Sequence, residues 1–210
     1  MEIGTYTLVT VLTGYLLGSL QPSYLLGRTV KKIDIRDFGS NNTGASNTTI
    51  VLGLKYGVIV GAIDIMKGLL AVILARYVIS SGTHAAYLGG MSAVLGHMFP
   101  FYLGFRGGKG LATVIGFIGG ISFLWAVCAS AVLIGVAFAT DYIVLGTVSF
   151  VIFFAVYTVC RFGAVSYECL FMAVTCLLIL LKHRRNYSQI IHGTEPRMSA
   201  IFGKKKQSSL

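Results

Sequence analysis

Charge is the scarcest commodity in this chain: 11% of 210 residues are charged, and only 7 are acidic. A soluble domain carries about 25%. With 55% hydrophobic residues and a mean hydropathy of +0.80, the polar groups cannot cover a surface facing water, so lipid is the expected solvent. Catalytic signatures are also missing. No GxSxG elbow or HExxH pair occurs, which leaves out the common serine-hydrolase and zinc-protease patterns. None of the histidines has an aspartate five positions on. Cys128, Cys160, Cys169 and Cys176 all lie in apolar runs with no CxxC spacing, and read as buried filler without a metal or disulfide role. The N-terminus has Glu2 and no basic leader, so the first apolar run is expected to be a retained span.

The net charge is nonetheless +10, because the bases cluster. Arg28, Lys31, Lys32 and Arg36 share one loop, and Lys182, Arg184, Arg185, Arg197, Lys204, Lys205 and Lys206 crowd the end. Basic clusters beside apolar runs fit cytoplasmic loops under the positive-inside rule better than a nucleic-acid surface, and no nucleic-acid partner is expected. Apolar runs cover residues 3–27, 54–79, 85–101, 111–138, 142–160 and 163–181. Six spans would put the 28–50 loop outside, against its charge. Splitting the fourth run at Gly119–Gly120 gives about seven spans, with the N-terminus outside and the C-terminus cytoplasmic. The expected fold is therefore an all-α polytopic transmembrane bundle. Residues 1–203 form one integral membrane domain, and 204–210 a mobile basic tail. Gly14–Gly18 and Gly57–Gly61 are GxxxG pairs, open to either internal packing or dimerisation.

Four polar constellations interrupt the apolar pattern. Residues 39–49 (GSNNTGASNTT) combine glycines with hydroxyl and amide side chains ahead of a span. That suits an oxyanion cradle at a helix N-terminus, or an ordinary capped loop. Residues 96–113 run GHMFPFYLGFRGGKGLAT, where Gly107-Gly108-Lys109-Gly110 opens a helix with backbone N–H groups, a dipole and an ammonium; that suits phosphate without a nucleotide fold, or simply a basic glycine loop at a membrane edge. Residues 183–195 contain His183 and Asn186 on one helix face, followed by Glu195. They suit proton transfer or phosphate binding, or simply a basic cluster ending a span. Asp64 and Lys67, at i,i+3 inside a span, form either a structural ion pair or support for a site.

Taken in order, these segments resemble the bacterial acyl-phosphate:glycerol-3-phosphate acyltransferase family (PlsY), whose pattern reads GSIPxxYLLG, GSGNIGATN, LDxxKG, GHxFPxFLxFKGGKGVAT, TRYVSLxS and HRxNIxRLLxGxE. The counterparts here are GSLQPSYLLG (18–27), GSNNTGASN (39–47), IDIMKG (63–68), the 96–113 segment, TDYIVLGT (140–147) and HRRNYSQIIHGTE (183–195). The resemblance spans nearly the whole chain, and its 96–113 block is the most specific part.

The resemblance implies acyl transfer from an acyl phosphate to the 1-hydroxyl of glycerol 3-phosphate, giving lysophosphatidate for phospholipid biosynthesis. The site would face the cytoplasm of a bacterial plasma membrane. No cofactor or metal is implied, and a soluble enzyme that makes acyl phosphate is an implied partner. An acyl phosphate is already activated, so positioning and charge stabilisation suffice. By position, Ser40, Lys109, His183 and Asn186 take catalytic roles. Asn42, Gly44, Asn47, Gly107, Gly108, Gly110, Thr113, Thr147 and Glu195 bind substrate, and Asp64, Lys67 and His97 support them.

The chain departs from the pattern at charged positions. Ile50 and Asp141 stand where the family has arginines, Val144 where it has serine, and Arg185 where it has the glutamate of HREN. This removes positive charge where phosphate is expected, and Arg36, Arg106 and Arg185 are the candidates to replace it. The alternatives are a same-fold enzyme for another acceptor, such as a lysolipid or a sugar, and a non-enzymatic transporter.

Overall fold

A computed structural model describes residues 3–79 and 82–203. The basic tail, residues 204–210, lies outside the described residues. The described residues are all helix and loop, with no strand. The elements are α1 (Ile3–Ser19), α2 (Pro22–Leu26), α3 (Ala45–Leu52), α4 (Leu54–Leu74, continued by a wider turn to Ile79), α5 (Thr83–Met98), α6 (Leu111–Ile121), α7 (Phe123–Thr140), α8 (Ile143–Phe162), α9 (Tyr167–Ile191) and α10 (Met198–Gly203).

Three of these, Leu54–Ile79, α7 and α8, are long and apolar enough to cross a membrane by length and composition. At 1.5 Å per residue, α8 is about 30 Å long, the thickness of a hydrocarbon core. α9 is longer, at 25 residues, but carries Glu168 in its first turn and a basic cluster after Leu181. The fourth apolar run is broken as expected, but at Ser122. Gly120 is still helical and packs closely on Val72 of α4.

Glycines bring the helices into backbone contact. A Cβ on Gly18 would strike the carbonyl of Ala93, and one on Gly96 the carbonyl of Tyr15, so α1 and α5 pack backbone to backbone. Gly68 and Gly116 join α4 to α6 in the same way, against Thr113 and Ile65. Both GxxxG pairs are used inside the chain. Gly14 meets Gly89 and Ser92, while Gly57 and Gly61 meet Thr49 and Ala45 of α3.

α5 lies at the centre, touching α1, α4, α6 and α9. The core between α5, α6, α8 and α9 is filled by Tyr87, Phe117, Phe150, Phe154, Met172 and Ile179. Outward faces are apolar too. Leu8, Leu12 and Leu16 form a stripe at helical spacing on α1, and Phe123 and Phe138 of α7 are 78% and 73% exposed. Surfaces like these belong in lipid. Cys160, expected to be buried, is exposed on α8, and the other cysteines are also free thiols.

Gly18→Val is expected to lower unfolding stability in detergent by about 1–3 kcal/mol through overpacking. Gly119→Ala, with open space around its Cβ position, should be neutral or slightly stabilising. Equal unfolding temperatures for the two variants would contradict this packing.

Candidate active site

Two loops and two helix ends enclose a cavity of about 600 Å³. The first loop is shaped by Asn47, buried in the first turn of α3. Its Oδ1 accepts hydrogen bonds from Ser40 N (2.6 Å) and Ser40 Oγ (3.2 Å), while its Nδ2 donates to the carbonyls of Ile35 and Asn42. Asn42 Nδ2 donates to Ser40 Oγ at 2.9 Å, and Asn42 Oδ1 accepts from Gly44 N at 2.9 Å. Gly39 sits at φ 60°, where a Cβ would collide with the Asn47 amide; only glycine fits there. The result holds the Ser40 hydroxyl and the N-terminus of α3 at the cavity wall.

The second loop folds back on the end of α5. Gly107 N donates to Met98 O (3.2 Å) and Gly108 N to His97 O (3.0 Å). A Cβ on Gly107 would strike His97 O, and one on Gly108 the His97 imidazole. The sequence assigned these two glycines to phosphate. Their amides are instead engaged within the protein, and their smallness lets the loop lie on α5. The amides that open α6 belong to a first helical turn, which has no intrahelical carbonyl partners, and such amides suit an anion.

Lys109 projects from this loop and donates to Asn186 Oδ1 at 2.9 Å, and Asn186 Nδ2 donates to both Glu195 oxygens at 2.7 and 2.9 Å. Burial holds the Lys109 ammonium below the usual lysine range, a shift that Glu195 opposes and Arg185 reinforces. His183 lies past the apolar stretch of α9. Its Nδ1 is 2.8 Å from the Ile179 carbonyl, which can only accept, so the proton sits on Nδ1 and Nε2 keeps its lone pair. Burial pushes His183 down to about 4, so the ring is neutral at pH 7.

Behind the loops lies a buried cluster. Lys67 Nζ is 2.8 Å from Asp64 Oδ1, 2.8 Å from His97 Nδ1 and 2.8 Å from the Leu20 carbonyl. Asp64 Oδ2 is buried and, among the described residues, has no hydrogen-bond partner. Gln21, also buried, links the loops. Its Nε2 donates to His97 O at 3.1 Å, and its Oε1 accepts from Thr43 Oγ1 at 2.6 Å.

Of the residues singled out from sequence, Ser40, Asn42, Gly44, Asp64, His97, Gly107, Gly108, Lys109, Gly110, Thr147, His183, Asn186 and Glu195 all line this one cavity. Asn47, Lys67 and Thr113 do not. Asn47 is occupied by its own loop, Lys67 is held behind His97, and Thr113 lies inside α6 with its carbonyl against Gly68. Thr147 lines the wall while its hydroxyl bonds back to Ile143 O at 3.1 Å. Gln21 and Gln189 were not singled out from sequence, and Thr43 and Lys182 were named there only as members of a polar run and a basic cluster, without a role. An amide side chain inside an apolar run, as at Gln21, is the signal that would have exposed the Gln21–Thr43 pair.

A family model described as glycerol-3-phosphate acyltransferase matches residues 8–193. The chain belongs to the glycerol-3-phosphate acyltransferase family. It is 40% identical over 196 residues to a glycerol-3-phosphate acyltransferase of Shouchella clausii, covering 91% of this chain and 95% of that one. The corresponding Halalkalibacterium halodurans protein is 37% identical, with 100% of both chains covered. Among solved structures, the glycerol 3-phosphate form of PlsY (YgiH), an integral membrane glycerol 3-phosphate acyltransferase, superposes with a TM-score of 0.84 at 32% identity, covering 91% of this chain and 94% of that chain. Its lysophosphatidic acid form gives 0.82 at 30%, with 94% and 99% covered.

The departures of this acyltransferase from the family pattern separate in space. Ile50 and Val144 line the cavity. Asp141 does not, so its negative charge is not set against a bound phosphate as the sequence suggested. Its carboxylate accepts from Ser199 N (2.8 Å) and Ser199 Oγ (2.7 Å), with Arg197 at 3.8 Å. Those hydrogen bonds hold it below the usual carboxylate range. Asp141 fastens α10 to the α7–α8 turn.

Gln21→Leu strands the Thr43 hydroxyl, and is expected to lower stability by about 1–3 kcal/mol. Gln21→Leu with Thr43→Val removes both partners and should recover part of that loss. Strict additivity in denaturant unfolding would show that the pair is not coupled.

Proposed function

We propose that this protein transfers an acyl group from an acyl phosphate to the 1-hydroxyl of glycerol 3-phosphate, releasing lysophosphatidate and inorganic phosphate. The observation that carries the reading is the Lys109–Asn186–Glu195 chain, set beneath two glycine loops beside the neutral His183 in a family member. The donor phosphate lies against Lys109 and the N-terminus of α6, where ammonium and dipole stabilise the leaving group. His183 Nε2 accepts the hydrogen bond of the attacking hydroxyl and aims its oxygen at the acyl carbon. The new C–O ester bond forms, the acyl C–O bond to phosphate breaks, and the hydroxyl proton leaves with the phosphate product. Ser40 and Asn42 orient the substrates from the first loop. Leu111, Ile115 and Ile143 give the cavity an apolar side for the acyl chain.

The same reading places residues 1–203 as one domain in a bacterial plasma membrane. It has seven spans, an outer N-terminus and a cytoplasm-facing site served by a soluble acyl-phosphate-forming enzyme. The bases of residues 28–36 and 182–185 support that orientation. A second reading, a different acceptor on the same chemistry, is favoured by Ile50 and Val144 in the cavity wall.

Lys109→Ala is expected to lower kcat/KM by about 100-fold or more, with an unchanged unfolding temperature. Full activity in that variant would contradict the proposal. Because His183 is held down to about 4, it stays neutral as pH falls from 8 to 5.5, and its loss of function should appear only near pH 4. The unfolded chain binds this proton first, so His183 stabilises the fold above pH 6.5 and that stability drains away as pH falls towards 4. A His183-dependent activity midpoint near 6.5 would refute the assignment.

A further inference from the structure

The cavity wall lacks the cation that the family pattern places at 50, yet a phosphate dianion there still needs more than one positive partner. The basic residues around the site can be taken in turn. Arg36 is held by both oxygens of Asp34, with one further bond to the Leu103 carbonyl. It holds Asp34 down to about 2 and does not line the cavity. Lys67 is enclosed by Asp64, His97 and Leu20. Lys182 donates to Met98 O at 2.8 Å and lies 4.1 Å from the centre of the Phe99 ring. Arg197 sits at Asp141. Arg106 and Arg184 are not part of the wall.

Arg185 is different. It lines the cavity, its side chain is exposed, and among the described residues it makes no hydrogen bond or ion pair. It lies near enough to Lys109 to disfavour that ammonium's charge. Two cations repelling across a cavity, with Glu195 already bound by Asn186, form a site short of an anion. Arg185 shares its helix face with Gln189, another lining residue one turn on. Asn186, next to it in the chain, positions Lys109 on the other side. Ile50, where the pattern has an arginine, lines the same cavity.

We propose that Arg185 binds the phosphate of the acceptor, replacing from the end of α9 the arginine lost at position 50. The positive charge has moved to a different wall of the same cavity. The ligand class is a small phosphomonoester, and this inference rests on the acyl-transfer reading above. A guanidinium suits the task, since it stays charged and offers paired donors to two phosphate oxygens.

The test is steady-state kinetics of Arg185→Gln in lipid, with acceptor and donor varied separately. The expected result is a KM for glycerol 3-phosphate raised about 10-fold or more, the size of one lost charge-assisted contact, with the KM for palmitoyl phosphate changed less than about twofold. Ile50→Arg added to Arg185→Gln should recover acceptor affinity. An unchanged acceptor KM, or equal rises for both substrates, overturns the proposal. If the wild-type protein makes no lysophosphatidate, the acyl-transfer reading fails separately. Arg185 is then judged by thermal protection with inorganic phosphate. Protection lost in Arg185→Gln upholds the site, and protection that is absent from wild type or unchanged in the variant overturns it.

Discussion

An ammonium group inside an apolar bundle has to be given acceptors for its protons, and Lys67 finds them at Asp64, His97 and the Leu20 carbonyl. Removing any one leaves a buried charge short of a partner, a loss of several kcal/mol in general. The three partners come from different places: the same helix, the end of α5, and the break between α1 and α2. That one requirement therefore fixes how three segments meet. His97 passes the constraint on, because its carbonyl accepts from both Gly108 and Gln21 and its ring lies against Gly108. Gln21 in turn holds Thr43 in the first loop. The two loops that wall the cavity are thus referenced to a single buried cluster.

This arrangement leaves most of the polar side chains that line the cavity at loops and helix ends of a lipid-facing bundle. Positioning is supplied by the rigid helices, which glycine contacts bring to backbone distance. Polarity is confined to loops and helix ends. The cavity joins polar donors on one side to apolar residues of α6 and α8 on the other, which suits the proposed substrate with its anionic head and acyl tail. Asp141 contributes by fastening α10 near the segment that carries Glu195, a structural role far from the charge deficit it suggested in sequence.

Much of this was legible in the residues. The charge scarcity and apolar runs pointed to a helical membrane protein, and the ordered motifs named most of the residues that surround the cavity. The rest depended on three-dimensional detail. The pattern GGKG signals phosphate, but it cannot say that the amides of Gly107 and Gly108 face α5. A run of apolar letters hid Gln21, and nothing linked it to Thr43, 22 residues away. Those two positions read proline and isoleucine in the family pattern, so the pattern itself carries no polar partner for either. Charge counted along the chain put Asp141 in the site, whereas its left-handed backbone, at φ 63°, turns the carboxylate to Ser199. Likewise, only the geometry separates Arg185 from the other arginines.

The most direct measurement of the central claim is product formation by the purified protein in lipid, supplied with palmitoyl phosphate in the presence and absence of glycerol 3-phosphate. Phosphate release is expected to depend on glycerol 3-phosphate and to be matched mole for mole by lysophosphatidate. Folded protein that releases no phosphate, or releases it equally without the acceptor, would contradict it.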